Sequence, residues 1–477
     1  MAFTLSTSKE KVDLGTAPVG GLLLKLGIPS IIAQLTHIAY NMVDRMYVGH
    51  IEGYGEVALT GLGIALPVVM LISAFSALVC MGAAPRSAIY MGRQDKKMAE
   101  KILSNVTALI VYLAIVLTLI IELFGPTILM WFGASEATLP WAWEYTRIMG
   151  LGTIFALFAL GLSAFITAQG YALWGLLAIS IGAVANIFLD PLFIFTLNMG
   201  VAGAAWSTVI AEALSGLFVV WFLVSKFSYL HIQKAYLKLD WAILGPCLLL
   251  GFSPFLMQVT ESAVMICFNS SLLKYGGDLA VGAMTIVSSI NQFILLPLQG
   301  MTLGAQPILS YNFGAGNKER IDKTFRLLLM WSLGYALLAW LCVHFVPRIL
   351  VIPFTNSDEL IQYTTWAMQI YLNGCLFVAI QVPCQNTFVA LGDSKDSIFV
   401  ACLRKIIVLM PLIYILPLFF SNKVAAVFAA EPVANIVGGL VSGFLFYRYA
   451  KNRLPLLIEE NKKALLDKSD YLSPDLD

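Results

Sequence analysis

Gly82-Ala83-Ala84-Pro85, with Tyr90-Met91-Gly92-Arg93-Gln94-Asp95-Lys96 behind it, has a second version in Gly304-Ala305-Gln306-Pro307, with Asn312-Phe313-Gly314-Ala315-Gly316-Asn317-Lys318 behind it. Gly82 and Gly304, Pro85 and Pro307, and Gly92 and Gly314 are each 222 residues apart. Gly170 and Gly392 keep that spacing, and Gly27-Ile28-Pro29 resembles Gly251-Phe252-Ser253-Pro254. Gly and Pro are common packing and turn residues in membrane bundles. A shared order at one offset says more: the 477-residue chain is two copies of one unit.

Composition tells what the unit is made of. The chain is 59% hydrophobic and 12% charged, against about 25% charged in an ordinary soluble protein, and its mean hydropathy is +0.83. A membrane-spanning helix needs about 20 apolar residues. Cutting at charges and at Gly/Pro or polar turns gives spans at roughly 22–48, 57–80, 102–124, 141–168, 173–195 and 201–224, then 241–273, 279–309, 325–346, 360–391, 398–420 and 424–447. The expected fold is an all-α polytopic membrane protein with about twelve transmembrane helices in two six-helix lobes. Because six is even, the copies run parallel, related by an axis along the membrane normal. The expected divisions are an N-terminal lobe at 1–225, a charged inter-lobe linker at 226–240, a C-terminal lobe at 241–450 and a charged tail at 451–477.

Lys and Arg fix a direction for this bundle. With the N-terminus in the cytoplasm, 24 of the 29 basic residues fall inside, and Arg45, Arg147, Lys274, Arg348 and Lys423 lie near the outside. That inside set includes Lys9, Lys11, Arg404, Lys405 and the tail bases. Both termini are expected in the cytoplasm, in a cell membrane. A net charge of +1 leaves no basic surface for nucleic acid. The seven cysteines show no paired metal or disulfide spacing, and no signal-peptide pattern precedes the first span. Neither Gly314-Ala315-Gly316 nor Gly200-Val201-Ala202-Gly203 carries the Lys and Ser/Thr of a nucleotide loop, so ATP is not the expected energy source and no cofactor is expected. No convergent acid/base motif of a membrane enzyme stands in the loops. Two parallel bundles suit an alternating-access carrier.

Carboxylates inside spans are costly and functional by default. They are Asp44, Asp190, Glu212, Glu261 and Glu431. Counted at about 1.5 Å per residue, Asp44 and Asp190 fall in the outer half of the bilayer, with Tyr145, Thr208 and Glu431 about 5 to 10 Å below the outer ends of their spans. Asn186 stands one turn from Asp190. Asp44, Tyr145, Asn186, Asp190 and Thr208 thus gather hard oxygen groups in one layer. They suit either a small monovalent cation, held as Na+ by Asp44, Asn186, Asp190 and Thr208, or a shared proton. The plainer role for Asp44 and Asp190 is to anchor the bundle by hydrogen bonds. Glu261, with Gln258 one turn earlier, gives the second half its own carboxylate, while Asn269 takes the place of Asp44 when counted from the shared proline. Gln34, Gln258 and Glu261 are candidate cargo contacts. Glu212 and Glu431 suit buried structural acids equally well. Arg147 is expected to pair with Glu144 one turn away, and His37, beside Tyr40, to be a hydrogen-bonded packing residue.

Tyr40-Asn41-Met42-Val43-Asp44-Arg45-Met46-Tyr47-Val48-Gly49, Ala185-Asn186-Ile187-Phe188-Leu189-Asp190-Pro191, and Gln306-Pro307 through Tyr311-Asn312-Phe313-Gly314-Ala315 resemble the multidrug and toxic compound extrusion family, MATE, and within it the MepA-like bacterial branch. The likeness spans nearly the whole chain. It implies two six-helix lobes around a V-shaped cleft and export of cationic amphipathic small molecules against an inward H+ or Na+ gradient. It implies a first-lobe cation site at Asp44, Tyr145, Asn186, Asp190 and Thr208. Glu261 resembles the seventh-helix glutamate of the NorM branch, but the span 360–391 lacks that branch's acidic partner. The carrier is expected to work as a monomer in the lipid bilayer. The alternative is a flippase for lipid-linked saccharides or another amphiphile of the wider superfamily, for which a more basic cleft is expected.

Overall fold

The computed structural model describes residues 12–51, 55–355 and 357–471; Lys9, Lys11 and the last six residues of the tail lie outside the described residues. All regular structure among the described residues is helical. The spans are α1 (Val19–Gly49), α2 (Ala58–Gly92), α3 (Lys96–Trp131), α4 (Leu139–Leu151 and Thr153–Ala168, bent by 60°), α5 (Ala172–Thr196) and α6 (Gly200–Val224). Next comes one helical run, Trp241–Gly314, of 74 residues. Straight, it would reach about 111 Å, far beyond a hydrocarbon core of about 30 Å. It is broken at Gly277, whose φ of 66° and ψ of −163° lie outside the helix region and favour glycine, so it counts as α7 (241–276) and α8 (278–314). α9 (Lys318–Phe345), α10 (Asp358–Ala390), α11 (Ser394–Phe419) and α12 (Lys423–Asn452) complete twelve spans among the described residues, and α13 (Leu454–Tyr471) follows them.

The repeat extends to backbone detail. Asp95 caps α3 and Asn317 caps α9, each accepting from a backbone N–H three residues on, at 3.1 and 3.2 Å. Before these caps the chain turns through the left-handed region, at Gln94 (φ 55°) in the first copy and Gly316 (φ 68°) in the second. Each half also owns a core. Phe165 and Phe222 are fully buried in one, Phe268 and Phe428 in the other.

The repeated glycines are where the halves meet. A Cβ on Gly82 of α2 would lie 2.1 Å from the Cys247 carbonyl oxygen of α7, and one on Gly251 would lie 1.9 Å from that of Leu78. The mirrored contact joins α1 to α8, where a Cβ on Gly304 would lie 2.5 Å from the Gly27 Cα. At the bundle end that carries the α2–α3, α8–α9 and α10–α11 turns, here termed the basic end, a Cβ on Gly92 would lie 2.0 Å from the Tyr311 carbonyl oxygen and one on Gly314 1.9 Å from that of Ile89. Only glycine lets backbones approach so closely.

Polar straps reinforce this end. Arg320 donates to the Leu14 and Ala17 carbonyls at 3.1 and 2.8 Å. Asn461 of α13 donates to the Phe313 carbonyl at 2.8 Å and accepts from Arg93 Nε and Nη2 at 2.9 and 2.6 Å. The charged segment between α6 and α7 is laid along the first half. Gln169 Oε1 accepts from Ser228 Oγ, Tyr229 N and Leu230 N, and Asn105 Oδ1 accepts from Asp240 N at 2.8 Å. One expected pair changes partner: Arg147 reaches Glu122 on α3 at 3.2 Å rather than Glu144 on its own helix.

Candidate functional site

Asp44 on α1, Tyr145 on α4, Asn186 and Asp190 on α5 and Thr208 on α6 are all buried, with exposures of 7% or less. Asn186 Nδ2 donates to Asp190 Oδ1 at 3.0 Å and to Thr208 Oγ1 at 3.4 Å. Ser207 also donates its hydroxyl to Asp190 Oδ1. Sequence reading missed Ser207; its adjacency to Thr208 was the available signal. Glu212 stands one turn beyond Thr208 on α6, which brings it toward the layer.

The donors run out before the acceptors do. Asp44 Oδ1, Asn186 Oδ1, Asp190 Oδ2 and Glu212 Oε2 are buried acceptors without a hydrogen-bond partner among the described residues. Burying such oxygens unmet is costly, so the layer calls for positive charge. Hard oxygens from carboxylates, an amide and hydroxyls match a small monovalent cation, and protons on the carboxyl groups answer the same need.

On the basic-end side of this layer lies a cavity of about 270 Å3 between α1, α2, α4 and α5, closed by α7 and α8. Gln34, His37, Gln258 and Gln306 give it polar groups, and among the described residues no Asp, Glu, Lys or Arg lines it. His37 stands about 10 Å along α1 from Asp44 and bonds the Tyr40 hydroxyl at 3.0 Å. Two widened π turns, Ala77–Met81 in α2 and Phe158–Leu162 in α4, form part of the wall; such turns frequently mark functional sites. Gln34 and Gln258 therefore share one cavity. Glu261 is not among its lining residues.

The second half differs in charge, and here the sequence expectation is corrected. Arg404 and Lys405, counted among the cytoplasmic bases, sit inside α11 on a π segment, Leu403–Leu409, that aims them at different helices. Arg404 bonds Glu431 of α12 at 3.2 Å and also Asn435. Lys405, buried to 5% side-chain exposure, donates to Glu261 and to the Met257 carbonyl of α7. Two acids meet two bases. Glu261, a candidate cargo contact, is thus paired with Lys405, although its side chain remains 67% exposed. Glu431 belongs to this network and not to the oxygen layer of the first half.

The MatE family model matches residues 29–192 and 254–415. The multidrug export protein MepA of Staphylococcus haemolyticus (strain JCSC1435) is 24% identical over 439 residues, covering 91% of this chain and 94% of that protein. Among solved structures, the MATE multidrug transporter DinF-BH is 30% identical with a TM-score of 0.84, covering 94% of this chain and 100% of that one. An outward-facing MATE family transporter of the MOP superfamily gives 0.85 at 22% identity, covering 95% and 99%.

Proposed function

The chain belongs to the MatE family of multidrug transporters, a multi-pass membrane carrier and no enzyme, and from that premise we propose that it exports cationic amphipathic compounds by antiport with H+ or Na+. The observation that carries this reading is the surplus of unmet oxygens at Asp44, Asn186, Asp190 and Glu212 beside an uncharged cavity. The coupling ion belongs in that oxygen layer, with Tyr145, Ser207 and Thr208 completing it. The cargo belongs in the cavity, against Gln34 and Gln258.

An ion drives transport only if it binds the carrier's conformations with different affinity. Filling the layer removes the electrostatic conflict between Asp44 and Asp190 and lets α1 close on α5 and α6. Cargo and ion then favour opposite arrangements of the halves. Because the acids of the second half are already met by Arg404 and Lys405, coupling is assigned to the first half alone. The basic end faces the cytoplasm, with both termini, and the carrier acts as a monomer.

The test is efflux of a cationic dye from proteoliposomes under an imposed sodium gradient or an imposed pH gradient, applied separately. One of the two is expected to drive export, and Asp190→Asn to abolish that drive. Export indifferent to both gradients would overturn the antiport reading.

A further inference from the structure

A second cavity, of about 290 Å3, lies at the basic end where the two halves and α13 converge. Arg86 and Arg93 reach it from α2, Lys395 from the first turn of α11 and Arg453 from the junction of α12 and α13, while Asp393 and Glu460 are its acids. Asp393 is already engaged: it accepts from Arg453 at 2.7 Å and caps α11 through the Asp396 N–H. The Arg93 guanidinium is held by the Asn461 amide oxygen, a neutral group that leaves its charge uncancelled. Arg86 Nε is buried with no hydrogen-bond partner among the described residues. Four positive groups against two negative ones leave two charges in excess inside a pocket large enough for a small ligand.

We propose that this pocket is a phosphate-binding site. A phosphate presents several acceptor oxygens, and guanidinium forks bond such oxygens in pairs. The pocket sits where α2 and α12 end and α11 begins, the depth at which basic pockets between spans take up anionic headgroups. Its cations come from both halves, Arg86 and Arg93 from the first, Lys395 and Arg453 from the second, so a bound phosphate bridges them and holds this end closed. A phospholipid headgroup and free phosphate share the chemistry.

The experiment uses the purified full-length protein and follows thermal unfolding. One arm titrates inorganic phosphate, against chloride at equal ionic strength, in uncharged detergent. The other compares nanodiscs of phosphatidylglycerol with nanodiscs of phosphatidylcholine. At least one arm is expected to stabilise the protein, with affinity about five-fold weaker for Arg86→Gln and for Lys395→Gln, in keeping with the worth of one basic residue near a membrane surface. Lys395 is exposed, so its variant tests the site without disturbing packing. Lys318→Gln, an exposed base at the same end outside the pocket, is expected to match the native protein. Response to inorganic phosphate alone assigns a soluble ligand, and response to phosphatidylglycerol alone a lipid. Response to neither, or equal response in all three variants, overturns the site.

Discussion

Gly314→Ala tests whether the halves must separate at the basic end during transport. The new methyl would lie 1.9 Å from the Ile89 carbonyl oxygen, where ordinary contact begins at 3.4 Å, so α2 and α8 have to part by about 1.5 Å. The obstacle is a backbone carbonyl and cannot swing aside. Overpacking of this kind costs about 1–3 kcal/mol. That strain falls on the closed arrangement only, because parted halves leave room for the methyl. The closed-to-parted equilibrium is expected to shift by about 5- to 150-fold. Distances between spin labels at positions 97 and 318, both exposed at the starts of α3 and α9, are expected to gain a longer population, and export to fall. Gly334→Ala on α9, which meets nothing within 4 Å, is the control and should leave both unchanged. Native distances and native export for Gly314→Ala would refute the argument.

Asp44→Asn and Asp190→Asn keep the size of the side chain but cannot change charge; each is expected to abolish gradient-driven export with membrane insertion intact, and normal resistance to a cationic drug would remove that residue from coupling. Arg404→Met strands the buried Glu431 carboxylate and should cost about 3–5 kcal/mol in thermal unfolding, most of it recovered by Arg404→Met with Glu431→Gln; no recovery would mean that the pair is not the cause. Glu261→Gln leaves the buried Lys405 ammonium uncompensated one turn from the cavity residue Gln258 and is expected to weaken a monocationic ligand more than a neutral one of similar shape, with binding isotherms as the measure and equal losses as the refutation. Tags at Met1 and Asp477 should resist extracellular protease in intact cells, and cleavage of either would reverse the assigned orientation.

The twelve spans and the duplication were legible because both are written in one dimension, as apolar length and as spacing. Asp44 and Asp190 were legible because a carboxylate in an apolar run has few reasons to be there. What escaped notice depended on which helix faces which. Ser207 looks like one more small residue of an Ala-rich helix until α5 brings Asp190 to its hydroxyl. Arg404 and Lys405 were counted among the cytoplasmic bases although they stand within the span 398–420, and Glu261 and Glu431 stood in apolar spans without counter-charges; two such acids ask for two bases nearby. Arg147 was assigned the neighbour on its own helix, whereas Glu122 across the α3–α4 interface lies nearer. The glycines were seen as repeated but not as partners of one another, since nothing in their spacing says that Gly82 meets Gly251 and Gly27 meets Gly304.

Those glycine contacts have the form of a symmetric dimer interface folded into a single chain. α2 of the first copy rests on α7, the first helix of the second copy, and α8 rests on α1 in return, while Gly92 packs on Tyr311 and its equivalent Gly314 packs on Ile89. This is the isologous arrangement in which patch i touches patch j and j touches i. A six-helix ancestor carrying one such pair of patches would have associated with its own twin, both inserted the same way up. Joined in one chain, the two copies differ in charge while the surface they share is self-complementary, and a chain severed between α6 and α7 should still find its other half.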